Sequence, residues 1–119
     1  MSRRTERIGE QIREEVARAL RRDVADPRLR MVTLTGVDVA PDLSQALVFW
    51  STLEDRSDLP AVSEVERGLE RASGYLRRVL AGRLELKRMP RLLFRHDPSL
   101  QRADRVLSVL RELGDDEKE

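Results

Sequence analysis

The spacing of apolar residues switches back and forth between two repeats along this chain, and each switch marks a new element of structure. Between residues 3 and 22, Ile8, Ile12, Val16, Ala19 and Leu20 fall on one face of an amphipathic helix. Asp26-Pro27 ends that pattern, because proline lacks an amide donor and disfavours helical geometry in the residue before it. Residues 31–39 are rich in Val, Leu and Thr and read as a strand. Its inward register slips from Val32 and Leu34 to Val37 and Val39, which places a bulge near Gly36. Turn residues at 41–44 then lead into a second strand, 45–52, with Ala46, Val48 and Trp50 on one face, so the two strands should form an antiparallel hairpin.

The helical repeat returns over residues 61–83 in Val62, Val65, Leu69, Ala72, Leu76, Val79 and Leu80, in one phase across Gly74. Glycine weakens a helix by about 1 kcal/mol relative to alanine, so a kink or break is expected at Ala72, Ser73 and Gly74. A short third strand follows at 91–96, with Leu92 and Phe94 facing one way. Asp97-Pro98-Ser99 offers a helix start, and Val106, Leu107, Leu110 and Leu113 give a final amphipathic stretch before an acidic end. The expected organisation is an α+β domain over residues 1–98, followed by a C-terminal helix and acidic tail over 99–119. At 119 residues the chain suffices for one core, so any partner must bind on the outside or in a shallow groove.

Charge narrows the function. Charged residues make up 38% of the chain, against about a quarter in ordinary domains, yet the net charge is only +1. The charges are segregated. Residues 1–30 carry nine arginines against six acids, residues 38–70 eight acids against two arginines, and residues 71–91 seven basic groups against the single acid Glu85. Basic segments of this kind neutralise phosphates, whereas acidic ones oppose nonspecific adhesion. Some of the arginine supports helices instead, Glu14 and Arg18 forming an i, i+4 pair.

Catalytic chemistry finds little support. There is no cysteine, and the single histidine, His96, has no second ligand nearby, so no metal or cofactor is expected. No phosphate-binding Gly-x-x-x-x-Gly-Lys loop is present, and Asp97 and Ser99 read as helix-capping groups rather than a catalytic pair. Phe49, Trp50, Tyr75 and Phe94 read as core rather than as a base-stacking platform. No apolar run approaches a membrane span and the first residues lead into no signal region, which makes the cytoplasm the expected location.

The order of elements resembles the bacterial type II K-homology (KH) fold, and four segments are similar to the ribosome-binding factor A family. They are Arg7-Ile8 with Ile12; Asp26-Pro27-Arg28-Leu29 running into Val32-Thr33-Leu34-Thr35 and Val37; Asp42-Leu43 with Ala46, Val48 and Trp50; and residues 90–97. The resemblance covers roughly residues 3–112 in order and spacing. It implies three strands backed by helices, with Ala72-Ser73-Gly74 as an interhelical kink standing in place of the Gly-x-x-Gly loop by which ordinary KH domains clamp single strands. It further implies a non-enzymatic, monomeric assembly factor that binds the immature small (30S) subunit and its 16S rRNA, assists late maturation and 5′-end processing, prefers free 30S to translating ribosomes, supports growth in the cold, and works alongside other assembly factors including a GTPase.

The residues expected to contact RNA are Arg3, Arg4, Arg7, Arg18, Arg71, Arg77, Arg78, Arg83, Lys87, Arg88 and Arg91. Two other readings stand beside this one. A protein-interaction adaptor would work through the acidic hairpin and loop, and a metal-independent nuclease would cleave RNA unaided.

Overall fold

In a computed structural model of the chain, the residues described are 3–52, 61–99, Leu110 and Leu113. Helix α1 (Arg3–Arg22) leads through a short 3-10 turn (Pro27–Leu29) into the strands β1 (Thr33–Val39) and β2 (Gln45–Ser51), then helix α2 (Val62–Arg83) and strand β3 (Arg91–His96). The sheet has the order β1-β2-β3, with β1 antiparallel and β3 parallel to the central strand. Ala46, Val48 and Trp50 of β2, all fully buried, meet Ile12 and Val16 of α1 and Leu69, Leu76 and Leu80 of α2 in one apolar core. The hairpin and the two repeats were thus readable from apolar spacing. The expected acidic loop at 54–60 and nearly all of the C-terminal helix lie outside the described residues.

Two glycines let backbone elements approach each other. At Gly9 a Cβ would sit 2.9 Å from the carbonyl oxygen of Val37, so α1 rests directly on β1. At Gly68 a Cβ would lie 3.1 Å from Leu29 Cδ2 and 3.2 Å from an Asp26 carboxylate oxygen, so the turn after α1 seats itself on α2. The bulge falls between Leu34 and Gly36, leaving Thr35 as the extra residue, and the Thr35 hydroxyl donates to the Asp97 carboxylate at 2.9 Å.

Asp26 organises that turn. Its carboxylate accepts the Arg28 amide at 3.0 Å and the Arg28 guanidinium at 2.7 Å, and these bonds hold its pKa below the usual carboxylate value. A depressed native pKa means that the stabilisation is present above the unfolded-state value, about 3.9, and is lost as pH falls through the native one. Asp26→Ala should cost about 1 kcal/mol near pH 7, the usual loss for a cap. The gap to the wild type should narrow below about pH 4, as the unfolded-state value dictates. Urea unfolding at pH 7 and pH 3 checks this, and an equal gap at both would contradict it.

Three expectations need correction. The chain does not divide into two helices at Ala72, Ser73 and Gly74, because α2 runs unbroken from Val62 to Arg83. The inward phase of Leu69, Ala72, Leu76 and Leu80 is uninterrupted there, and the Ser73 hydroxyl bonds the Glu70 carbonyl at 2.7 Å within the helix. Tyr75 is 39% exposed instead of core, since it lies off the apolar face that Leu76 occupies. Arg18 pairs with Glu15 at 3.5 Å, an i, i+3 neighbour on the same helix, and not with Glu14; Glu15 also meets Arg83 of α2 at 3.3 Å.

Candidate nucleic-acid interface

A helix turns about 100° per residue, so the burial of Val65, Leu69, Leu76 and Leu80 dictates what α2 presents to solvent. Arg67, Arg71 and Arg78 lie on the side opposite Leu76, within about 40° of one another, and span about 16 Å along the axis. All three are exposed, and Gly74 lies among them, also exposed. A Cβ at Gly74 would touch nothing within 4 Å, so packing does not require a glycine at that point. Arg67 was missed in the sequence because it falls in the segment with acidic net charge. Its helical phase with Arg71 and Arg78 is the signal that finds it.

The expected RNA-contacting residues divide into two groups. Arg83 is held at 3.3 Å by both Glu15 and Asp23, fastening α2 to α1, and Arg18 shares Glu15. Arg77 donates to the Met89 carbonyl at 3.0 Å, tying α2 to the segment before β3. Arg83 and Arg77 thus tie separate elements together, whereas Arg18 makes an exposed pair within α1. Arg88 lies near Asp42, whose carboxyl pKa is lowered mainly by the Ser44 hydroxyl and amide and only slightly by Arg88. Arg3, Arg4, Arg7, Arg71, Arg78, Lys87, Arg88 and Arg91 are exposed and make no ion pair among the described residues. What the arrangement offers is a row of extended cations on α2, with further cations on the first two turns of α1 and before β3. Such groups meet phosphate oxygens without a preformed cavity.

Between α2 and β3 runs a groove of about 500 Å³, walled on the helix side by Glu66, Glu70, Ser73, Gly74 and Arg77. His96 also lines it, with its ring packed against the buried Trp50 at a centroid separation of 4.7 Å. Among the described residues no group of acids and histidines is arranged to hold a metal ion, and no helix is long and apolar enough to cross a membrane.

The sequence model of the family described as Ribosome-binding factor A matches residues 4–110. A ribosome-binding factor A from Coxiella burnetii (strain Dugway 5J108-111) is 39% identical over 120 residues, covering all of this chain and 98% of the relative. The crystal structure of ribosome-binding factor A from Thermus thermophilus is similar with a TM-score of 0.67 and 26% identity, over 77% of this chain and 94% of that one. A Thermus thermophilus ribosome binding factor A homology model, fitted into the cryo-EM map of a 30S complex, is similar with a TM-score of 0.63 and 26% identity, over 79% of this chain and 96% of that one.

Proposed function

Because the chain belongs to the ribosome-binding factor A family, we propose that it binds the free, immature 30S subunit through 16S rRNA phosphates. It would act there in late maturation and 5′-end processing as a binding factor and not as a nuclease, working in the cytoplasm as a monomer beside other assembly factors, a GTPase among them, and supporting growth in the cold. The observation that carries this reading is the exposed row Arg67, Arg71 and Arg78, unpaired among the described residues; Lys87, Arg88 and Arg91 are further exposed cations elsewhere on the surface. A homologue fitted into a 30S complex supports the choice of particle. The cations of α1, Arg3, Arg4 and Arg7, extend the same reading. Arg18, Arg77 and Arg83 are assigned to the fold instead, because their guanidiniums are already hydrogen-bonded. Gly74, exposed beside this row, keeps that part of α2 low in profile, which would let an RNA backbone lie close to the helix, whereas Ala72 packs inward.

Cosedimentation of purified protein with immature 30S, mature 30S and 70S particles, alongside incubation with precursor 16S rRNA, tests the proposal. Retention on immature 30S above 70S, with precursor ends unchanged, is the expected result. Specific product ends formed by the protein alone would replace this reading with the nuclease.

A further inference from the structure

Strand β1 is the edge of the sheet opposite β3, and α1 lies across it. Glu15 and Asp23 of α1 are turned toward α2, where both hold Arg83 at 3.3 Å. Ala17 stands about 200° around the helix from Glu15. It faces a groove of about 780 Å³ between the end of α1 and the start of β1. The floor is aliphatic, since Leu20, Leu29 and Leu34 are buried and Ala17, Val24 and Val32 are half-buried against the core. Arg13, Arg21, Arg22 and Arg30 border it.

The charges of this groove are not balanced within it. Asp23 is the single acid on its walls among the described residues, and its carboxylate is taken by Arg83. Arg13 is paired with Glu10 at 2.7 Å. Arg21, Arg22 and Arg30 are exposed and make no ion pair among the described residues. Arg21 and Arg22 complement the negative end of α1, but Arg30 belongs to the other wall and owes nothing to that helix. The turn before it sets its position. The Arg30 amide donates to the Pro27 carbonyl at 3.4 Å and the Val32 amide to the Leu29 carbonyl at 3.3 Å, while Leu29 seats against Gly68 of α2. Three cations from two walls, one of them held by a fixed turn, therefore border an open groove whose only acid is already paired.

We propose that this groove binds the phosphate backbone of a second RNA segment, so that one molecule holds two segments of ribosomal RNA, one on the outward face of α2 and one at the β1 edge. This rests on the reading of RNA as the ligand and adds a site to it. The turn Pro27–Leu29 stands between the two surfaces, its Leu29 touching Gly68 on one side and lining the groove on the other. Guanidiniums take phosphate oxygens in bidentate pairs. A strand with a phosphate at every nucleotide meets all three cations, which one small anion in so wide a groove does not. No aromatic ring lines the groove among the described residues, so the contact is with phosphates and carries no base preference. Holding two segments raises the effective concentration of each for the other, which favours their packing in an assembling subunit.

The test follows the arginine Nε–H signals of the full chain by NMR during titration with a short RNA hairpin. The signals of Arg21, Arg22 and Arg30 should move. They should do so with a dissociation constant within about twofold of wild type when Arg67, Arg71 and Arg78 are replaced by alanine, since the two sites share no cation. Movement at the groove with the α2 arginines still would sink the α2 reading and keep the groove as an RNA site. Alanine at Arg21, Arg22 and Arg30 should weaken binding to immature 30S about tenfold or more and make the slope of log affinity against log salt shallower by about two to three, as loss of three phosphate contacts predicts. Lysine at the same positions should restore the slope, which separates charge from any effect on the fold. Unmoved signals at Arg21, Arg22 and Arg30 would overturn the proposal. So would larger shifts with a glutamate-leucine peptide than with the hairpin at equal concentration, which would favour an acidic protein partner. Groove signals that stop moving in the α2 variant would overturn it too, by making the two surfaces one continuous site.

Discussion

Gly9→Val should destabilise the protein by at least about 3 kcal/mol, at the upper end of what overpacking costs, because the new side chain meets backbone instead of a rotatable group. The added Cβ would stand 2.9 Å from the Val37 carbonyl oxygen, and α1 cannot shift away without lifting Ile8 and Ile12 from the core. In a domain whose whole stability is of the order of 5–15 kcal/mol, that is a large fraction. Gly74→Ala is the matched control. Its Cβ meets nothing within 4 Å on an exposed helix face, so it should stabilise by about 0.5–1 kcal/mol through the loss of glycine's unfolded-state freedom. Trp50, the single tryptophan and fully buried, reports both transitions by fluorescence during urea unfolding. Equal midpoints for Gly9→Val and the wild type would show that α1 does not rest on β1 as described.

Local patterning specified the elements of this fold well and their mutual contacts poorly. Ile8, Ile12 and Val16 announce a helix, and Ala46, Val48 and Trp50 announce a half-buried strand, because repeats of 3.6 and 2 are properties of consecutive residues. Gly9 and Gly68 look like any other glycines in the sequence. Their necessity depends on Val37, Leu29 and Asp26, which are brought near only by the tertiary fold. Gly74 misleads in the other direction. Its helix-weakening tendency suggested an interruption, but the packing of Leu69, Leu76 and Leu80 holds α2 as one helix through it. Tertiary burial overrides a single unfavourable propensity of about 1 kcal/mol.

The interface shows the same division. Charge segregation drew attention to residues 71–91, but charge counts carry no direction. Only the placement of the side chains separates Arg83, bound to Glu15 and Asp23, from Arg78 on the open face of the same helix. Segment totals also concealed Arg67, whose partners in the row are four and eleven residues away and not its acidic neighbours Glu64 and Glu66.

Replacing Arg67, Arg71 and Arg78 together by alanine should weaken binding to the subunit and lower its salt dependence while leaving the fold intact, since all three are exposed and outside the core. Each phosphate neutralised contributes about 0.7 to 0.9 to the slope of log affinity against log salt, so removing three of these cations should make that slope shallower by about two to three. Between 50 and 200 mM salt the advantage of wild type over the variant should therefore shrink about 20- to 40-fold. Arg83→Ala is the discriminating companion. It should lower stability by breaking the ion pairs to Glu15 and Asp23 and leave the slope unchanged. The decisive measurement is the affinity of wild type and triple variant for immature 30S particles across that salt range. A slope shallower by about two to three in the triple variant, with wild-type unfolding behaviour, is the result expected from the phosphate arithmetic. Parallel salt dependences for the two proteins would contradict the claim that the outward face of α2 binds ribosomal RNA.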